Sequence, residues 1–171
     1  PQRAFNLHMD FNWDYFAAVN IGHSLHDVEM TTVRASPYCN MHMTIRKLRE
    51  LGYKRIGLAM DDSLRYRIDD TYLSLYALYE RYRPAGDSIP VFYSSGIGND
   101  RPLEDIPFHE LTWRESDFDA TAVGKWIRKY KVDALISNYD PSPEKLRAEG
   151  FRIPEDLGYV SLDTTSAAKE V

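Results

Sequence analysis

Apolar and polar positions follow two successive patterns in the first third of the chain. Met41, Ile45 and Leu48 recur at steps of three and four residues among charged side chains, which predicts a helix with one apolar face. Gly52 ends this helix, because glycine adopts the left-handed conformation that closes many helices at low cost. The apolar run at residues 55–60 then predicts a strand covered on both faces. A helix that leads through a glycine turn into a buried strand is half of a parallel α/β unit.

Similar units can be followed along the rest of the chain. Strands are predicted at residues 16–22, 30–34, 55–60, 89–93, 132–136 and 158–162. Helices are predicted at about residues 38–51, 69–83, 119–131 and 141–149, and Asp140 and Pro141 fit the cap and first residue of the last helix. The alternation predicts an α/β fold with a mainly parallel sheet and helices on both faces.

Composition narrows the classes of function. The chain has 171 residues, 43% apolar content and a net charge of −5. This acidic balance is unfavourable for a nucleic-acid or anionic membrane surface, which needs clustered Lys and Arg. No apolar run approaches the length of a membrane span, so no membrane partner is expected. The single cysteine, Cys39, forms no internal disulfide and favours a reducing, cytoplasmic compartment.

Polar residues follow several of the predicted strands. Ligands of parallel α/β sheets bind beyond the carboxyl ends of the strands, which selects Asn20, the turn at residues 61–67, Asn138 and Asp163. Amide and carboxylate groups, together with an aromatic ring at Trp113, suit a sugar or another polyol. The hydroxyl groups of such a ligand need hydrogen-bond partners, and its C–H face stacks on an aromatic ring. A small polar ligand is therefore expected.

Other chemistry is expected to be absent. His23, His26 and Glu29 have a spacing that could hold a metal, but they lie in a predicted loop without a further ligand. No metal or other cofactor is therefore expected. Pairs of aspartates are explained as well or better by helix caps and solvated turns as by acid–base catalysis. No serine lies in a nucleophile elbow, so the chain is not expected to be an enzyme.

Three segments of the sequence resemble the effector-binding core of LacI/GalR-type bacterial transcription regulators. They are residues 16–60, with AAVNIG and LRELGYKRIGLAM, residues 132–140 (VDALISNYD) and residues 150–165 (GFRIPEDLGYVSLDTT). The third segment is the most specific, with a glycine, a Pro-Glu-Asp step and then a strand that ends in aspartate. The resemblance covers about residues 14–165.

The resemblance implies a type I fold like that of the periplasmic binding proteins, in which two lobes close on an effector. Residues 1–35 would be the end of the N-terminal lobe, and residues 36–171 would form the C-terminal lobe, truncated at its end. It also implies a cytoplasmic homodimer that binds operator DNA through an N-terminal helix-turn-helix domain missing from this chain. The effector would be a sugar or a sugar derivative.

The resemblance also implies roles for individual residues. Asn20 stands where the family often has an aspartate that contacts the effector, and Arg67 matches an arginine that grips the effector from the head of a helix. Trp113 matches a stacking tryptophan of some members. Asn138 matches an amide that follows a strand, and Asp163 matches a carboxylate.

Two departures from the family pattern predict a variant pocket. The glycine that usually follows the gripping arginine is replaced here by Asp70 or Thr71, so Arg65 is an alternative counterpart to Arg67. The family's asparagine–aspartate step is stretched to residues 138–140.

Effector sensing in a transcription regulator is thus the function expected from the sequence. Two other hypotheses remain open at this point. The first is a secreted sugar-binding protein of the same fold, which a signal peptide upstream would identify. The second is a small α/β hydrolase, which would need a nucleophile or a set of metal ligands.

Overall fold

The structure is a computed structural model that describes residues 12–22, 29–60, 70–84, 86–93, 119–138 and 141–162. A short 3-10 helix at Trp13–Tyr15 comes first. The other elements are, in chain order, β1 (Val19–Ile21), β2 (Thr31–Val33), α1 (Pro37–Glu50), β3 (Ile56–Met60), α2 (Thr71–Arg81), β4 (Phe92–Tyr93), α3 (Ala120–Tyr130), β5 (Ala134–Ser137), α4 (Pro143–Ala148) and β6 (Gly158–Ser161).

The described strands form two parallel sheets. The larger sheet has the order β4-β3-β5-β6, and every neighbouring pair in it is parallel. Strands β1 and β2 form a separate parallel pair. The prediction of an α/β fold with parallel strands is therefore confirmed. In the larger sheet the chain moves from β3 outward to β4 and then returns past β3 to β5, so the direction of winding reverses between β3 and β5.

Helices cover both faces of the larger sheet. On one face, α1 and α2 pack against β3 through Met41, Leu48, Tyr72 and Tyr76. On the other face, α3 and α4 supply Val123, Trp126, Ile127 and Leu146 to a second core cluster. Every residue of β3 and β5 is consequently buried, as expected for central strands of a parallel sheet.

Side-chain caps fix the starts of α1 and α3. The Ser36 hydroxyl accepts a hydrogen bond from the backbone N–H of Cys39 at 3.2 Å and begins α1. The Asp119 carboxylate accepts one from the backbone N–H of Ala122 at 3.0 Å and begins α3. Each cap satisfies a backbone donor that has no partner within its helix.

The last helix begins later than predicted. Its cap is Ser142, whose hydroxyl accepts a hydrogen bond from the backbone N–H of Lys145 at 3.4 Å, and its first residue is Pro143. The prediction that Asp140 caps this helix and that Pro141 begins it is therefore wrong. Both positions offer a capping side chain followed by proline, and the second of the two starts the helix.

Strand β4 is also shorter than the predicted run of residues 89–93. The backbone N–H of Ile89 donates to the Glu80 carboxylate at 2.7 Å, and its carbonyl accepts from the Tyr76 hydroxyl at 3.1 Å. Both backbone groups of Ile89 are thus bound by α2. Pro90 has no backbone N–H to give to a strand. Pairing with β3 starts only at Phe92.

Candidate ligand-binding edge of the parallel sheet

The reversal between β3 and β5 identifies one edge of the larger sheet. In open parallel sheets, ligands bind outside the carboxyl ends of the strands, at the point where the winding reverses. Here β3 ends at Met60, which pairs with Tyr93 at the end of β4. Strand β5 ends at Ser137 and is followed at once by Asn138. These four residues mark the carboxyl edge on either side of the reversal.

Strand β6 brings a further hydroxyl group to the same edge. Ser161 pairs with Ser137 in the parallel register. The backbone N–H of Leu162 donates to the Ser137 carbonyl at 2.7 Å and keeps the two strand ends side by side. The ends of the adjacent strands β5 and β6 therefore carry two serines, and one asparagine follows β5 directly. All three side chains are uncharged, and all three can both donate and accept hydrogen bonds.

Asn138 lies where the sequence predicts it, directly after a buried strand. Only 1% of the residue is exposed, and Ser137 before it is wholly buried. A carboxamide is costly to place in the interior unless its polar atoms are bonded. Its role in ligand binding stays a prediction.

Asn20 lies in a different setting from the one predicted. It is the central residue of β1 and not a residue beyond a strand end, because the strand continues through Ile21. The Asn20 side chain donates to the Thr32 hydroxyl of β2 at 3.5 Å and is buried, at 7% exposure. Its neighbours Val19 and Ile21 point to the opposite face of the strand and are exposed. The carboxamide thus joins β1 to β2, and its contact with an effector stays a prediction.

Other predicted positions lie outside the described residues. They are Arg67, its alternative Arg65, Trp113 and Asp163. His23 and His26, the two histidines weighed as metal ligands, lie outside as well. Across the described ranges, no three His, Cys, Asp or Glu side chains are grouped so that they could hold a metal ion.

The opposite, amino edge of the sheet carries a network that the sequence does not reveal. The Asp133 carboxylate accepts hydrogen bonds from the backbone N–H groups of Lys54 and Arg55, both at 2.8 Å. The Arg55 guanidinium donates to the Tyr130 carbonyl at 2.8 Å and pairs with Asp87. One carboxylate before β5 and one arginine before β3 therefore fasten the starts of the two central strands.

A buried ion pair extends this network along α2. Arg83 and Glu80 form an ion pair in which their side chains are only 8% and 10% exposed. Arg83 also donates to the Lys54 carbonyl and to the Tyr79 hydroxyl, each at 3.1 Å. Beside it, the Tyr76 hydroxyl reaches the Ile56 carbonyl at 3.1 Å. Burial, followed by the nearby Glu80 carboxylate, raises the pKa of the Tyr76 hydroxyl far above its usual range, so this group acts as a permanent donor.

In three comparisons with known proteins, no family model, no curated protein and no solved structure matched this chain. The geometry defines its class as an α/β protein with parallel sheets and helices on both faces of the larger one. Among the helices in the described ranges, none has the length and apolar character needed to cross a bilayer.

Proposed function

We propose that this chain is the effector-sensing part of a LacI-type transcription regulator and that it binds a sugar or a sugar derivative. The observation that carries the proposal is the strand order β4-β3-β5-β6, with Asn138 at the point of reversal. The separate β1–β2 pair supports a second lobe, because a two-stranded parallel sheet is normally completed by further strands and helices. The resemblance seen in the sequence supplies the family.

The chemistry of the carboxyl edge favours an uncharged polyol. Ser137, Asn138 and Ser161 are small, neutral groups that can pair with ligand hydroxyls in either direction. Sugar hydroxyls are the groups that best match this set.

Regulation would follow from differential binding. An effector that contacts both lobes favours the lobe angle at which both sets of contacts form. In a homodimer, this angle would set the spacing of the DNA-binding domains and so couple effector binding to operator binding. In this mechanism, Asn138 is the residue that contacts the effector from the lobe containing the larger sheet.

Replacement of Asn138 tests the proposed pocket. Asn138→Ala should weaken binding of the best ligand from a panel of mono- and disaccharides by about tenfold, because a ligand hydroxyl loses a hydrogen-bond partner in a buried site. Isothermal titration calorimetry measures the affinity, and thermal unfolding verifies the fold.

Lys129→Ala is the control, because Lys129 is exposed in the last turn of α3, which leads into the amino end of β5. Equal affinities of the wild type and Asn138→Ala would contradict the pocket. Turnover of a sugar in the same panel would point to an enzyme.

A further inference from the structure

Helices α1 and α2 leave an open groove on the outer face of the protein. The α1–α2 groove has a volume of about 390 Å³ and is lined by side chains of both helices. Its floor is apolar, with Met41 buried and Ile45 and Leu75 half-buried. Its ends and border carry large exposed side chains, with Tyr38 at 54% and Tyr82 at 80% exposure. An exposed apolar surface with polar borders is typical of an interaction site.

Part of the groove already has a fixed shape. The Tyr38 ring stacks on His42, one turn further along α1, with centroids 6.1 Å apart and an interplanar angle of 3°. At the other end, the Tyr79 ring lies beneath two guanidinium groups, Arg49 at 5.9 Å and Arg83 at 5.2 Å from its centroid. These contacts hold the aromatic ends in place before any partner arrives, which lowers the entropic cost of binding.

The α1 side of the groove is basic although the whole chain is acidic. Arg46 and Lys47 both approach the same carboxylate, Glu50, at 3.7 Å. Arg49 is a third cation on this turn, and its described contact is the neutral Tyr79 ring. Of these cations, Arg46 and Arg49 line the groove, and no carboxylate of the described residues lines it, although the chain has a net charge of −5. The local charge excess calls for acidic groups on whatever covers the groove.

We propose that the α1–α2 groove binds an amphipathic helix of a partner protein, with apolar side chains on the floor and acidic side chains toward Arg46 and Arg49. Apolar grooves between two helices accept such a helix through residues at helical spacing. The residues of α1 that line the groove extend from Tyr38 to Arg49. A partner helix that lies along them would therefore have about three turns. This interaction goes beyond the proposed function, because the groove lies on a helical face and not at the carboxyl edge.

A second copy of the chain fits the groove less well. A symmetric dimer through this surface would set two copies of the same concave groove, each lined by Arg46 and Arg49, against each other. Like charges brought together in this way oppose association. Nucleic acid matches the cations but leaves the apolar floor uncovered.

A pair of synthetic peptides tests the charge requirement. One helical peptide of about 14 residues carries leucines at helical spacing flanked by glutamates, and its partner has lysines in place of the glutamates. Fluorescence anisotropy with the 171-residue chain should show the acidic peptide binding at least about tenfold more tightly. Equal binding of the two peptides would overturn the proposal.

Three variants localise the binding. Arg49→Glu should lower the affinity for the acidic peptide by about tenfold, because it reverses a charge that the peptide contacts. Leu78→Asp should lower this affinity by a similar factor, because it places a charge in the apolar lining. Lys125→Glu is the control, because it reverses an exposed charge on α3 and should leave the affinity unchanged. Leu78 is 48% exposed, so its variant should keep the fold, as circular dichroism verifies.

Sedimentation velocity of the free chain measures its oligomeric state and so tests whether a second copy of the chain covers the groove. Leu78→Asp and Arg49→Glu should leave the oligomeric state as it is in the wild type. A dimer that both substitutions dissociate would show that a second copy covers the groove and would overturn the proposal. Unchanged peptide affinity in both variants would overturn it equally.

Discussion

The two edges of the larger sheet are built from different chemistry. At the amino edge, charged side chains bind one another and the backbone, as Asp133 does with the N–H groups before β3 and as Arg83 does with Glu80. At the carboxyl edge, the ends of β5 and β6 carry small, neutral polar residues, namely Ser137, Asn138 and Ser161. The central strands therefore start in a charged network and end in groups suited to a neutral ligand.

This difference separates stability from recognition. The amino edge uses interactions that span distant parts of the chain, so we expect it to contribute strongly to the free energy of unfolding. The carboxyl edge is where the winding rule predicts a ligand, so substitutions there should act mainly on binding. Substitutions that lower stability equally at both edges would remove the distinction.

The largest effect is expected at the buried ion pair. Arg83→Met should lower the free energy of unfolding by about 3 kcal/mol, because it removes the ion-pair partner of Glu80 in a site where the Glu80 side chain is only 10% exposed. Urea unfolding at neutral pH measures the change. Arg147→Met is the matched control, since Arg147 and Glu144 are 53% and 70% exposed and their pair should contribute at most about 1 kcal/mol. Equal losses in the two variants would contradict a special role for the amino edge.

The second-largest loss of stability is expected where β3 and α3 approach each other closely. A Cβ atom on Gly57 would lie 2.5 Å from the Trp126 ring, and the ring sits in a packed core. Gly57→Ala should therefore destabilise the protein by about 2 kcal/mol through overpacking. In a Trp126→Phe background the clashing ring atoms are absent, so the added cost of the alanine should fall. Additive losses in thermal unfolding would argue against this approach.

The Tyr76 hydroxyl should contribute less than the ion pair. Tyr76→Phe leaves the Ile56 and Ile89 carbonyls without a donor that reaches both at 3.1 Å, which should cost about 1.5 kcal/mol in urea unfolding. Tyr82→Phe is the control, because Tyr82 is 80% exposed and its hydroxyl faces solvent. If Tyr82→Phe lowered the free energy of unfolding as much as Tyr76→Phe does, the buried hydroxyl would contribute no more to stability than an exposed one.

Local pattern is enough to predict some elements closely. The α1–β3 unit is found at Pro37–Glu50 and Ile56–Met60, because the helical period and the glycine turn both act within a few residues. Asn138 follows from the same reasoning, since it comes directly after a recognisable buried strand. Parallel pairing follows from the alternation of strands and helices.

Other features depend on partners that are distant in sequence. Asp133 binds the backbone of Lys54 across 79 residues, and no local pattern marks that pairing. Strand β4 is shortened because α2 occupies the backbone of Ile89, which the sequence of the strand cannot show. For α4, two cap-and-proline steps lie next to each other, and only the folded chain distinguishes them. Sequence patterns therefore predict elements better than the contacts between them.

The smallest effect is expected at an exposed ion pair in the turn before β6. Arg152 donates from Nε to the Asp156 carboxylate at 2.7 Å, and this hydrogen bond holds the pKa of Asp156 below its usual range. A lowered pKa in the folded state stabilises the protein above the ordinary carboxyl pKa of about 4, and this contribution disappears as the pH falls through the folded pKa. Asp156→Asn should therefore differ from the wild type at about pH 7 and match it near pH 2.

Urea midpoints across this pH range measure the Asp156 contribution. High salt should reduce the difference at neutral pH, because both side chains are exposed to solvent and their attraction is screened. In an Arg152→Gln background, Asp156→Asn should have a smaller effect, since the guanidinium is the main group that lowers the carboxyl pKa, while the backbone N–H of residue 152 still donates to Asp156. A difference that persists at low pH would mean that Asp156 acts through backbone geometry, such as its 3.2 Å bond from the Arg152 N–H, and not through charge. The turn before β6 would then depend on neutral hydrogen bonding, unlike the charged pairs before β3 and β5.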